Sequence, residues 1–89
     1  IMVKKKVVFG SSMCPDCIVM KEALDERGVK YLYLDITENL ANLKKFLKFR
    51  ENSAFDFAKE KGSIGIPAMV INDGEKILFS IEEFDEYNK

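Results

Sequence analysis

The sequence predicts an α/β domain over residues 1–89, with a four-stranded mixed sheet and flanking helices in the order βαβ–α–ββ–α. Three observations support this fold class. Short β-branched runs alternate with segments of helical period, which is typical of a βαβ unit. The turn sequence Asn72-Asp73-Gly74 stands between two later apolar runs and indicates a hairpin. Hydrophobic residues make up 47% of the chain, which is enough for one core.

A strand–helix–strand unit is predicted at the start of the chain. Lys4–Phe9 has the short β-branched pattern of a buried strand. A helix is predicted to begin at Cys14–Pro15, because proline is favoured at the first helical position, and to end at Gly28. Apolar pairs four residues apart predict its buried stripe: Val19 with Ala23, and Met20 with Leu24. Lys30–Leu34 is the second strand, parallel to the first because a helix connects them.

The middle of the chain is predicted to be helical. A 3.6-residue period marks the buried face of a second helix, formed by Leu40, Leu43, Phe46 and Leu47. Lys44, Lys45, Lys48 and Arg50 are interpreted as its exposed face, with an anion-steering patch as the alternative. Ser53 with Asp56 resembles a capping box for a short helix that ends at Gly62, and the aromatic residues of this region, Phe46, Phe55 and Phe57, are expected in the core.

The last part of the chain is predicted to form the hairpin and a final helix. Pro67 opens the strand Ala68–Ile71, and Lys76–Phe79 returns antiparallel to it. Ser80 with Glu83 forms a capping box for a helix over Ile81–Tyr87.

Composition excludes several classes of function. The formal net charge is −1, from 14 basic and 15 acidic residues, so we expect no nucleic-acid partner and no anionic membrane surface. The apolar runs are too short to span a bilayer. Residues 1–6 lack the apolar segment of a secretory signal, and Met2 is taken as the natural start. A stapled secreted protein would carry more cysteines at wider spacing than the two of this chain, so we expect a cytoplasmic protein, which we take to be a monomer.

The two cysteines, Cys14 and Cys17, stand between a predicted strand and a predicted helix. Unpaired N–H groups and the helix dipole favour an anion there, so Cys14 is expected to react as a thiolate although the chain contains no histidine. Cys17, one turn into the helix, is expected to stay protonated and to resolve a mixed disulfide on Cys14. A disulfide that closes so small a loop would stabilise the fold little.

The motif Cys14-Pro15-Asp16-Cys17 is compatible with three roles, of which a redox dithiol is favoured. A metal or iron–sulfur cluster would need a dimer that shares four thiolates, because the chain offers no other cysteine and no histidine, and we expect no metal. Two inert buried cysteines are the third alternative. Repulsion from the Asp16 carboxylate is predicted to make Cys14 less acidic and the couple more reducing than a neutral residue would.

The chain resembles the dithiol glutaredoxins of the thioredoxin-fold superfamily. The matching segments are this motif after Val7–Phe9, the dipeptide Ile66-Pro67 and the turn at Asp73-Gly74. The resemblance extends over essentially the whole chain. It implies that Cys14 is the nucleophile and Cys17 the resolving thiol. It also implies that Pro67 is a cis-proline facing the active site, that Ile66 offers backbone hydrogen bonds to a thiol substrate, and that no cofactor is tightly bound.

The resemblance implies glutathione as co-substrate, with contacts at Ser12, Met13, Ile81 and Glu82. The chain departs from the family pattern at several of the glutathione positions. Ser11 stands where the family has a lysine, Met13 where it has an aromatic residue, and Phe79-Ser80 where it has a glycine pair. The acidic pair Glu82-Glu83 follows, where the family has an aspartate.

The predicted function is therefore the reduction of protein disulfides or glutathione mixed disulfides by a glutaredoxin-type enzyme. One alternative keeps the chemistry but replaces glutathione by thioredoxin reductase, as in glutaredoxin-like electron donors to ribonucleotide reductase. The other alternative, of a different class, is a dimer that binds an iron–sulfur cluster or metal; Pro15 argues against it, because cluster-carrying glutaredoxins resemble monothiol types without that proline.

Overall fold

The centre of the molecule is a four-stranded sheet in the order β2-β1-β3-β4. The computed structural model describes residues 4–89, and its strands are β1 (Lys6–Gly10), β2 (Leu32–Asp35), β3 (Ala68–Ile71) and β4 (Lys76–Leu78). β1 pairs parallel with β2 and antiparallel with β3, and β4 is antiparallel to β3. The predicted mixed sheet is confirmed. The expectation about the start of the chain falls partly on residues 1–3, which lie outside the described residues.

Four helices flank the sheet, in the predicted order along the chain. They are α1 (Pro15–Glu26), α2 (Leu40–Phe49), α3 (Asp56–Lys61) and α4 (Ile81–Tyr87), with a 3₁₀ turn at Ser53–Phe55 before α3. Over residues 4–89, no helix has the length and apolar character that a membrane crossing requires.

Two apolar layers form because successive side chains of β1 point to opposite faces of the sheet. Val7 and Phe9 lie in the layer toward α2 and the 3₁₀ turn, and the other buried members of this layer are Ile36, Phe46, Phe55, Ala68, Val70 and Ile77. Val8 lies in the layer toward α1 and α4, together with Met20, Leu24, Met69, Ile71, Leu78 and Phe84. The sheet is therefore covered on both sides. The loops to α1 and α2 begin at the carboxyl ends of β1 and β2, after Gly10 and Asp35.

Four side chains predicted to be buried are exposed. Val19 in α1 is 59% exposed, because α1 packs on the sheet through Cys17, Met20 and Leu24. Leu40 and Leu47 in α2 are 80% and 50% exposed, because that helix turns Leu43, Phe46 and Phe49 inward instead. Phe57 in α3 is 44% exposed. The helical period is therefore right in both long helices, and Met20, Leu24 and Phe46 are buried as predicted. The buried faces are shifted, however, so that Val19, Leu40 and Leu47 lie outside them.

Helix caps follow the predicted signals with one exception. The Ser80 hydroxyl accepts the Glu83 N–H at 3.1 Å, and the Glu83 carboxylate accepts the Phe79 N–H, so α4 begins as predicted. The predicted cap at Ser53 is wrong, because the side chain of Asn52 accepts the Ala54 N–H at 2.8 Å and starts the 3₁₀ turn one residue earlier.

Candidate active site

Cys14 occupies the cap position at the start of α1, as the sequence predicts. Its backbone is extended (φ −109°, ψ 109°), and its Sγ accepts the N–H of Cys17 at 3.2 Å. Its carbonyl oxygen accepts the N–H of Ile18 at 3.2 Å, while Pro15 fills the first helical position. The Cys17 N–H, which also donates to the Cys14 carbonyl oxygen at 3.1 Å, therefore faces the Cys14 sulfur at the positive end of the helix dipole, an arrangement that stabilises negative charge on that sulfur.

The two cysteines differ sharply in their surroundings. Both are free thiols; Cys14 is half-buried, whereas Cys17 is 0% exposed. Burial and, after it, a hydrogen bond with Cys14 raise the pKa of the Cys17 thiol to about 12. Cys17 is consequently a protonated thiol at neutral pH, held one helical turn from an accessible sulfur.

Tyr33 and Gly10 lie behind Cys17. A methyl group added at Gly10 would come within 2.5 Å of the Tyr33 hydroxyl and 3.1 Å of the Cys17 Cβ, so the three residues meet at the end of β1. Burial raises the pKa of Tyr33 to about 12, with smaller contributions from Cys17, Asp35 and Cys14. The absence of a side chain at residue 10 is therefore what lets α1 and β2 approach the end of β1 so closely.

The Asp35 carboxylate, at the carboxyl end of β2, fixes the loop that carries Cys14. One oxygen accepts the Ser12 N–H at 3.1 Å, and the other accepts the backbone and hydroxyl of Thr37 at 2.8 and 2.6 Å. The buried Ser11 hydroxyl lies 2.8 Å from the Thr37 hydroxyl and accepts the Met13 N–H at 3.1 Å. The hydrogen bonds to Asp35 hold the pKa of its carboxyl below the usual range, and the bond from the Thr37 hydroxyl has the largest effect.

The peptide bond between Ile66 and Pro67 is cis, as the resemblance implies, and Pro67 is buried. Arg50, at the end of α2, holds the loop before Pro67 in place through two hydrogen bonds. Arg50 donates through Nε to the Ile64 carbonyl at 2.8 Å and through Nη2 to the Ser63 carbonyl at 2.7 Å. Arg50, which the sequence grouped with the lysines of an exposed helix face or an anion-steering patch, is half-buried, and its guanidinium positions the loop that precedes the cis-proline. Lys44, Lys45 and Lys48 are exposed, as predicted.

A groove of about 340 Å³ runs from Asp16, between the two cysteines, to the start of α4. Its lining includes Asp16 from the motif and both residues of the cis peptide, so the structure brings these distant segments together. The remaining lining residues are Val19, Met20, Phe57, Ser63, Gly65, Phe79, Ser80, Ile81 and Glu82. The Phe57 and Phe79 rings pack edge to face, with their centroids 4.8 Å apart.

Two of the four residues expected to contact glutathione line this groove, and two do not. Ile81 and Glu82 line the groove, whereas Ser12 and Met13 lie outside its lining in the exposed loop before Cys14. Phe57 joins the groove although the sequence placed it in the core. Across residues 4–89, no three His, Cys, Asp or Glu side chains are grouped as ligands for a metal ion.

Comparison with known proteins gives two matches at the level of sequence. A protein-family model described as Glutaredoxin matches residues 7–75. A protein of Haemophilus influenzae described as uncharacterized is 39% identical over 75 residues, which cover 83% of this chain and 87% of that protein.

Two solved structures resemble the fold over most of the chain. The thioredoxin-like protein BC3987 has a TM-score of 0.64 and 26% identity, covering 92% of this chain and 97% of that one. The glutaredoxin from Methanosarcina mazei Go1 has a TM-score of 0.70 and 24% identity, covering 93% of this chain and 76% of that one. Both similarities confirm the predicted arrangement of sheet and helices.

Proposed function

The chain belongs to the glutaredoxin family of thiol–disulfide oxidoreductases, within the thioredoxin-fold superfamily, and from that premise we propose that it reduces protein disulfides and glutathione mixed disulfides through Cys14 and Cys17. The observation that carries this proposal is the asymmetry of the two sulfurs. Cys14 is accessible and accepts a helix N–H, whereas Cys17 is buried with its pKa raised to about 12. That difference supports Cys14 as the attacking thiolate and Cys17 as the resolving thiol.

The proposed reaction is a two-step exchange. The Cys14 thiolate attacks one sulfur of the substrate disulfide, forms a mixed disulfide, and releases the other sulfur as a thiolate that takes a proton. Cys17 then loses its proton and attacks the Cys14 sulfur, releasing the second substrate thiol. The substrate gains two electrons and two protons, and the protein keeps a Cys14–Cys17 disulfide that an external thiol reductant must reduce.

We propose glutathione as that reductant, since the family uses it as co-substrate and the groove adjoins the motif. A second candidate, reduction by thioredoxin reductase, is favoured by one observation: among the described residues that line the groove, none is Lys or Arg to meet a glutathione carboxylate. A cytoplasmic, monomeric protein with no resident cofactor is part of the same proposal.

The test supplies oxidised protein with two electron sources in parallel, glutathione with its reductase and thioredoxin reductase, and follows reduction of a glutathionylated peptide and of a protein disulfide. Activity with glutathione supports the proposal; activity with thioredoxin reductase alone selects the second candidate. We expect Cys17→Ser to keep deglutathionylation and lose protein-disulfide reduction, and Cys14→Ser to lose both. Activity that survives in Cys14→Ser would contradict the assignment of the nucleophile.

The iron–sulfur or metal-binding alternative has its own test. Anaerobic purification followed by an absorption spectrum would reveal visible cluster bands if two chains share a cluster through their cysteines. A colourless protein that reduces disulfides fits the oxidoreductase proposal.

A further inference from the structure

The charged side chains among the described residues that line the groove are all of one sign. Asp16 and Glu82 contribute exposed carboxylates to the lining, and none of the described lining residues is basic. Two nearby cations are engaged elsewhere. Arg50 donates to the carbonyls of Ser63 and Ile64, and Arg27 donates to both carboxylate oxygens of Asp85 at 2.8 Å. An anionic ligand in this groove would therefore meet the carboxylates of Asp16 and Glu82 with no basic side chain among the described lining residues.

The apolar part of the groove is also exposed. Val19 and Phe57 are 59% and 44% exposed, and Phe57 packs against Phe79 along one wall. Beyond the groove, Met13 and Ile18 on either side of the motif are 76% and 45% exposed. Apolar side chains of this size exposed around a reactive sulfur are typical of a surface that receives another polypeptide.

We propose that this groove receives an extended segment of a protein disulfide in which a large apolar residue adjoins the cysteine and a basic residue lies close by. The inference rests on the proposed function and specifies its substrate class. The apolar residue contacts Phe57 and Val19, while the basic residue pairs with Glu82 and Asp16. The complementarity of charge favours a cationic segment over an acidic one as the protein substrate of this groove.

A single-turnover experiment tests this without an external reductant. Fully reduced protein is mixed with the disulfide-linked dimer of acetyl-Lys-Leu-Cys-Leu-Lys amide or of acetyl-Glu-Leu-Cys-Leu-Glu amide. Each reaction converts the two protein thiols into the Cys14–Cys17 disulfide and one peptide disulfide into two thiols, so electrons balance within the mixture. Rates are divided by those with dithiothreitol, which removes the intrinsic reactivity of each peptide.

We expect the normalised rate for the lysine peptide to exceed that for the glutamate peptide by about tenfold at low salt, with most of the preference lost at about 0.5 M salt. Glu82→Gln is expected to reduce the ratio about threefold, as removal of one exposed charge pair does. Glu86→Gln makes the same charge change on the same helix outside the groove lining, and should keep the original ratio.

Equal normalised rates for the two peptides, a faster glutamate peptide, or equal effects of Glu82→Gln and Glu86→Gln would each overturn the substrate class while leaving the oxidoreductase proposal intact. If neither peptide is reduced, the result would contradict the proposed function as well. A lysine preference that Glu82→Gln weakens and Glu86→Gln does not would support the inference.

Discussion

Replacing Gly10 by Ala tests whether the close approach of β1, β2 and α1 builds the active site. The added Cβ would lie 2.5 Å from the Tyr33 hydroxyl oxygen, 3.1 Å from its Cζ and 3.1 Å from the Cys17 Cβ. The hydroxyl can move at the end of its side chain, but Cys17 is held in the first turn of α1. We therefore expect a loss of about 1–3 kcal/mol in the free energy of unfolding, the usual range for overpacking. For a domain of this size that lowers the melting temperature by about 5–20 °C.

The same contact predicts a specific rescue. Tyr33→Phe removes the hydroxyl oxygen at 2.5 Å and leaves only contacts at 3.1 Å. The free energy of unfolding of the double variant with Gly10→Ala should therefore be about 1 kcal/mol higher than the sum of the two single effects predicts. Tyr31→Phe is the matched control, since its hydroxyl donates to Asp25 at 2.6 Å instead. Urea unfolding of the four proteins in each cycle gives the coupling energies. Equal coupling with Tyr31→Phe and Tyr33→Phe, or no destabilisation by Gly10→Ala, would refute the packing argument.

Three further substitutions have defined outcomes. Asp35→Asn weakens the bonds to Ser12 and Thr37 and should cost about 1–2 kcal/mol at pH 7 by urea unfolding. Because the pKa of Asp35 is lowered in the folded state, its stabilisation is present above the unfolded-state pKa and is lost as the pH falls through the lower folded-state value, so the cost should shrink in strong acid. Asp16→Asn removes a negative charge beside the sulfurs and should speed alkylation of Cys14 at pH 7 by about two- to fivefold, with a less reducing couple by equilibration against glutathione. Phe55→Ala empties a site that is 0% exposed and should cost about 3–5 kcal/mol by urea unfolding.

Each of these substitutions can also fail in a defined way. A cost for Asp35→Asn that is unchanged between pH 7 and strong acid would contradict the ionised carboxylate as the anchor of the loop. An unchanged alkylation rate and an unchanged reduction potential in Asp16→Asn would show that the Asp16 charge does not affect the Cys14 sulfur. A cost for Phe55→Ala near that of the exposed control Phe57→Ala would contradict its place in the core.

Much of the fold could be predicted because local signals agree with tertiary packing. The β-branched strand before Gly10, the proline after Cys14 and the hairpin at Asn72-Asp73-Gly74 each have a local physical cause, and the structure confirms all three elements. The buried faces of the helices were harder to predict. In α1, apolar Ile18 and Val19 stand beside the residues that are buried, so the helical period alone does not decide which stripe faces the sheet.

Two parts of the site depend on contacts between distant segments. Arg50 reaches carbonyls of residues 63 and 64, and no local pattern distinguishes such an arginine from the exposed lysines of the same helix. Asp35 could have been found, because the carboxyl ends of the parallel strands β1 and β2 meet at one edge, and a carboxylate there lies beside the loop that follows Gly10. The groove itself assembles residues from the motif, α3, the cis-proline loop and α4.

The central assignment of Cys14 as nucleophile and Cys17 as buried resolving thiol is tested most directly by the order of alkylation. Fully reduced protein is treated with limiting iodoacetamide at pH 7, and the labelled positions are mapped by mass spectrometry over time. We expect Cys14 to be labelled first and nearly alone, because Cys17 is 0% exposed with its pKa raised to about 12. Equal labelling of the two cysteines, or earlier labelling of Cys17, would contradict the assignment.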